Sequence, residues 1–172
     1  LGSLAGVLAN MANDFRNLQR TEIDEVREGT GATQVGSSTM AHKQNPISSE
    51  QVVSFWKVLL GYQLTAMLDQ HSDHQRDLTN SASSRFTLGE MIAVFIRMLR
   101  TSTSVLQKLI VNRERMVANI GLTHGLIASE PLQLLLAFHG CPDAHEKVRA
   151  HSRTARDSGQ PLWAVAQADG TL

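Results

Sequence analysis

The stretch VVSFWKVLLGYQLTAML, residues 52–68, constrains the fold more than any other, because it is helically patterned and apolar on nearly every face except at Ser54, Lys57 and Gln63. A helix of that kind has to be covered on several sides, and a chain of 172 residues has little to cover it with. The expectation is a bundle of long helices in which other subunits supply part of the burial. Upstream, Leu1, Leu4, Leu8, Met11, Phe15 and Leu18 step by three and four, the seam spacing of a helix that packs along a partner. No capping residue stands ahead of that helix, so the chain is expected to begin inside one, as a piece of a longer protein. A second helix should start near SSEQ, with Ser48 or Ser49 as its N-cap and Glu50 close to its start. Leu88, Ile92, Phe95, Leu99, Val105 or Leu106, and Leu109 then carry a third long helix to about Val111.

From Asn112 the segments shorten, with breaks at Gly121, at Gly140 to Pro142 and at Gly159 to Pro161. Little alternating strand pattern is present and no fixed-period repeat. The reading is an all-α chain: residues 1–112 form part of a long-helix domain with a polar loop at 29–46, and residues 113–172 form a small helical domain, expected to be incomplete. Composition agrees, since 42% apolar and 19% charged residues are ordinary globular values.

Charge excludes some partners. Sixteen basic residues balance sixteen acidic ones, so no bulk field recruits nucleic acid or an anionic membrane surface. No apolar run approaches the roughly 20 residues of a membrane span. Cys141 is the only cysteine; it rules out an intramolecular disulfide and a cysteine-built metal site, and fits a reducing compartment, so a cytoplasmic location is expected. Nothing calls for a cofactor. His71, Asp73 and His74 in HSDH have no third ligand at convincing spacing, so no metal site is expected there.

Two polar stretches carry the chemistry. In GSSTMAHKQNP, residues 36–46, Lys43 and Asn45 stand two apart in an extended or turning segment ahead of Pro46. They could present a charge and an amide to one carboxylate. Ser37 or Ser38 could act as a nucleophile or a base if a nearby cation or helix-end amides stabilised the alkoxide; a plain Ser/Gly loop with an exposed lysine is the alternative. In QRDLTNSASSR, Ser81 and Arg85 are i, i+4 and share a helical face, and Arg76 can join them only if it precedes the helix. Two guanidiniums and a hydroxyl at a helix N-terminus suit a phosphate, whereas an Asp77–arginine surface ion pair would be worth about 0–1 kcal/mol.

The first stretch resembles the loop of the fumarase/aspartase superfamily, G-S-S-x-M-P-x-K-x-N-P, at Gly36, Ser37, Ser38, Met40, Lys43, Asn45 and Pro46. With NPISSEQ and QRDLTNSASSR, the chain is similar to the C-terminal portion of the adenylosuccinate lyase family. That resemblance implies β-elimination of fumarate, with Ser37 as base and Lys43 and Asn45 on the succinyl carboxylate. Ser38 would join in substrate binding, Glu50 would stand near the site to orient a catalytic histidine, and Arg76, Ser81 and Arg85 would hold the nucleotide phosphate. It also implies a homotetramer whose sites are shared between subunits, so that this chain alone would be inactive. Ala41 departs from the usual proline, and Gln44 stands where arginine is common. The alternatives are a lyase or cycloisomerase of the argininosuccinate or carboxymuconate type, or a non-catalytic helical assembly protein of crystallin type.

Overall fold

The computed structural model describes residues 1–29 and 44–171. Its contacts divide the chain into two compact units, Leu1–Asn112 and Arg113–Leu172. The fold is all-α, with one two-stranded ribbon of two residues per strand among the described residues.

The first unit is built on three long helices, α1 (Gly2–Leu18), α2 (Ile47–Leu68) and α3 (Ser81–Gln107). α2 and α3 form an antiparallel hairpin, and α1 lies along α2. The hairpin is tied at its closed end, where the Ser83 hydroxyl donates to the Asp69 carboxylate. At its open end the chain adds the ribbon: β1 (Val26–Arg27) pairs antiparallel with β2 (Ile110–Val111), Val26 opposite Val111 and Arg27 opposite Ile110. α3 therefore ends at Gln107 rather than near Val111, because the next residues leave the helix to pair with β1.

The seam holding the three helices is not the leucine stripe expected from the sequence. α1 buries Ala5, Ala9 and Ala12, while Leu1 and Leu4 are exposed and Leu8, Met11, Phe15 and Leu18 are half-buried. α3 buries Thr87, Met91, Met98, Ser102 and Val105, whereas Leu88, Ile92, Leu99 and Leu106, each next in sequence to a buried residue, are exposed. Small and unbranched side chains let helix axes approach closely, so the alanine and methionine stripes meet Val52 and Leu59 of α2 in one core. Leu8 and Phe95 of the expected stripes pack against this core, while Leu1, Leu4, Leu88, Ile92 and Leu99 stay outside it. α2 bears out its all-round apolar character: it buries Ser49, Val52 and Leu59, yet leaves Leu64 59% and Leu68 67% exposed.

The second unit consists of α4 (Arg113–Gly121), a 3-10 turn at Leu126–Ala128, α5 (Ser129–Phe138), α6 (Ala144–Ser158) and α7 (Leu162–Ala168). The expected breaks are present: Gly140 and Gly159 adopt φ of 82° and 70°, the left-handed geometry that closes α5 and α6. Leu136, Ala144 and Val148 form one small core, and Ala155, Leu162 and Val165 another, with Leu132 packed against both. His151 is buried on α6, its Nε2 lying 3.0 Å from the Thr171 hydroxyl.

Candidate active site

Of the residues proposed for catalysis and substrate binding, Ser37, Ser38 and Lys43 lie outside the described residues. The structure does describe the frame from which that segment leaves and to which it returns. At its start the Gly29 N–H donates to the Lys108 carbonyl at 3.0 Å, immediately beyond the ribbon. A Cβ on Gly29 would overlap that carbonyl, so only glycine permits the approach.

At the segment's end, Gln19 makes a bridge. Its Nε2 donates to the Gln44 carbonyl at 3.0 Å, and its Oε1 accepts the Glu28 N–H at 2.9 Å. One side-chain amide at the foot of α1 thus joins residues 28 and 44. Glu28 continues the chain of bonds into α2: its carboxylate accepts the N–H of Ser48 at 3.1 Å and of Ser49 at 2.6 Å. Neither serine is the N-cap. Pro46 holds that position without a side-chain cap of its own, and the acceptor comes instead from twenty residues upstream. A carboxylate on the free N–H groups of a first turn satisfies orphan donors and opposes the helix dipole, an effect of about 1 kcal/mol. Asn45 is half-buried beside this start, its carbonyl accepting the Ile47 N–H at 2.9 Å. Glu50 is exposed on the first turn.

Next to the bridge, Gln19, Thr21, Asp24, Arg27 and Gln44 line a polar cleft of about 200 Å³. Arg27 is satisfied there, through bonds of 2.5 and 2.7 Å to the Asp24 carboxylate. Those bonds, and the charge they carry, raise the guanidinium's already high pKa. A larger cleft of about 260 Å³ among Leu132, Leu135, Leu162 and Trp163 in the second unit is apolar. It is lined by no titratable side chain, so the chemistry does not belong there.

The other polar stretch folds as a separate group. Asp77 accepts the Thr79 hydroxyl at 2.6 Å and the N–H groups of Thr79 and Asp73 at 3.0 Å each. These bonds, the hydroxyl's first, hold its carboxyl at about 2. Asp77 is therefore occupied by its own turn, and among the described residues neither Arg76 nor Arg85 has an ion-pair partner. Both are exposed. Arg76 precedes α3, as convergence requires, while Ser81 opens the helix and Arg85 follows one turn later. The N-cap, Asn80, makes no side-chain capping bond, and the first turn holds no acidic residue. Ser83 and Ser84 turn their hydroxyls back to the Asn80 carbonyl, at 3.1 and 2.7 Å. Among the described residues no three His, Cys, Asp or Glu side chains are grouped for a metal ion, His71, Asp73 and His74 included.

Within one chain these two groups do not meet. Asn45 and Glu50 stand at the N-terminus of α2, and Arg76, Ser81 and Arg85 lie beyond its C-terminus. α2, with 22 residues and roughly 33 Å long at 1.5 Å per residue, runs between the two groups. Gln19, Glu28 and the Gly29 contact were not singled out from the sequence as functional. A carboxylate twenty positions from the amides it binds leaves no local spacing to read, and the glycine beside it was the one faint signal.

A family model described as Adenylosuccinate lyase C-terminal matches residues 72–169, and one described as Lyase matches residues 1–61. The chain is 43% identical over 169 residues to the adenylosuccinate lyase of Pyrococcus abyssi, covering 97% of this chain and 38% of that protein. It is 38% identical over 165 residues to the adenylosuccinate lyase of Methanothermobacter thermautotrophicus, covering 94% and 37% respectively. Among solved structures, a 3-carboxy-cis,cis-muconate lactonizing enzyme from Pseudomonas putida superposes with a TM-score of 0.80 at 28% identity, over 95% of this chain and 37% of the other. The chain thus spans under two fifths of the length of the Pyrococcus relative.

Proposed function

The chain belongs to the adenylosuccinate lyase C-terminal family, and from that premise we propose that it is part of a homo-oligomeric lyase, a tetramer, releasing fumarate from adenylosuccinate and the related succinyl-carboxamide ribotide of purine nucleotide synthesis. Ser37 removes the proton next to a carboxylate. Lys43, Asn45 and Ser38 hold that carboxylate as charge builds on it, the kind of stabilisation that is often the largest catalytic contribution. Glu50 completes this end of the site. Arg76, Ser81 and Arg85 hold the nucleotide phosphate, so that binding energy far from the reacting carbon positions it.

The observation that carries this reading is the pair of exposed arginines, free of ion pairs among the described residues, beside a helix start whose N-cap makes no side-chain capping bond. A phosphate supplies the missing partner for all three groups. The length of α2 adds a condition: no substrate of nucleotide size spans roughly 33 Å, so the two ends of the site come from different copies of the chain. The exposed apolar stripes of α1, α2 and α3 are the surfaces such copies would cover. The isolated chain is accordingly inactive.

Subunit complementation in the full-length parent tests this. A Ser37→Ala parent and an Arg76→Ala/Arg85→Ala parent, each defective at low substrate concentration, should regain fumarate release when their subunits are mixed and reassembled. Mixed oligomers that stay as inactive as the separate variants would refute the shared site. A second reading, a lactonizing enzyme or a lyase for a substrate without a phosphate, draws on the structural likeness to the Pseudomonas enzyme; under it the arginine variant would be fully active from the outset.

A further inference from the structure

We propose that Glu28 is a positioning residue for the carboxylate-binding end of the site, acting with Gln19 through a continuous chain of hydrogen bonds. The proposal rests on the lyase reading above. Gln44, whose carbonyl Gln19 holds, and Ser48, whose N–H Glu28 holds, bracket Asn45 on both sides. The same two side chains are joined through the Glu28 N–H. Residue 29, next along, is seated on Lys108 by a contact that admits no side chain. The backbone on either side of Asn45 is therefore referenced to α1, to the ribbon and to the first turn of α2 together.

Local propensity does not supply this. Pro46 offers α2 no side-chain cap, and the Ser49 hydroxyl is buried without a hydrogen-bond partner, so it does not close the turn either. Among the described residues the Glu28 carboxylate is the side chain that takes the first-turn N–H groups of α2, and Asn45 stands two residues before the helix begins. Misplacement of a binding group by about 1 Å can cost on the order of 100-fold in rate, which is why a residue that does not reach substrate can still govern turnover.

The test uses the full-length parent enzyme. Glu28→Ala should lower kcat for fumarate release by about 10- to 100-fold while the oligomer stays assembled. It should also speed hydrogen exchange of the Ser48 and Ser49 amides. Glu28→Gln, whose side-chain carbonyl still accepts one of the two N–H groups, should recover a large part of the lost kcat. Gln19→Ala, which cuts the link between residues 28 and 44 but leaves the Glu28 carboxylate in place, should lower kcat by a smaller factor. A purely structural role would lower thermal stability and leave the kcat of the folded enzyme unchanged; that result in Glu28→Ala overturns the proposal. If Glu28→Ala does not assemble, Gln19→Ala decides by the same criterion. Unaltered exchange at Ser48 and Ser49 in Glu28→Gln and Glu28→Ala alike also overturns it. A wild-type parent that releases no fumarate would defeat the lyase reading instead, and the exchange measurement would still decide whether Glu28 holds the start of α2.

Discussion

The starts of α2 and α3 lie in the same unit and solve the same problem in opposite ways. At α2 the protein lends its own carboxylate: Glu28 takes the N–H groups of Ser48 and Ser49. At α3 it withholds one. Asn80 gives no side-chain cap, the first turn has no acid, and Asp77, the nearest carboxylate, is bound to Thr79 and Asp73. Orphan N–H groups and a positive helix end attract whatever anion is available. A start already occupied by a carboxylate is a structural joint. The proposed function takes the other start, beside two arginines with no ion-pair partner among the described residues, as the place for an anion from outside.

That contrast is broken most severely by removing the cations. Arg76→Ala/Arg85→Ala in the full-length parent should raise KM for adenylosuccinate by about 100-fold or more, since two charge-assisted hydrogen bonds of about 1.5–3 kcal/mol each are lost. Steady-state kinetics would show it, and an unchanged KM would mean that the open helix start binds no phosphate. The contrast can also be erased without touching the arginines. Ser81→Asp gives α3 a carboxylate of its own; it should raise KM by about 10-fold through like-charge repulsion, yet stabilise the helix by about 0.3–1 kcal/mol against denaturant. A variant that lost stability as well as affinity would show that the start of α3 is less open than the geometry indicates. The smallest effect concerns the bound state of Asp77. Its carboxyl is lowered from 3.8 to about 2 by its turn, so its contribution is fully present above about pH 4 and is lost as pH falls toward 2. Exchange protection of the Thr79 amide should decline over that window and show no such step in Asp77→Asn.

The elements of this fold were legible because their signals are local. Three long periodic runs became three long helices, and Gly140 and Gly159 stop helices where left-handed backbone is needed. The burial pattern was legible only in part. The sequence identifies the most apolar stripe, Leu1 and Leu4 on α1 or Leu88, Ile92 and Leu99 on α3, but helices within one chain meet on the stripe that lets them come closest. That stripe is Ala5, Ala9 and Ala12 against Val52 and Leu59, with Met91 and Met98. The α2 cap was misread for a related reason: Ser48 and Ser49 carry the right hydroxyls at the right place, and a carboxylate from outside the helix takes the N–H groups first. At the candidate site, spacing set the condition that Arg76 precede the helix carrying Ser81 and Arg85, and the structure meets it. The separation of that group from Asn45 is set by the 22 residues of α2 that run between them.

The ribbon has a bearing on the order in which the first unit assembles. The α2–α3 hairpin joins elements that are consecutive in sequence, separated only by residues 69–80, and contacts of that kind form early. The ribbon closes a much longer circuit, in which Asn112 donates to Asp24 across 88 positions, and each such closure costs chain entropy before it returns any bonding. Gly29 is seated on Lys108 only when that circuit closes. Folding should therefore complete the α2–α3 hairpin first and seat Gly29 on Lys108 last, which makes the closing of the ribbon the final and most easily delayed step in the maturation of the unit.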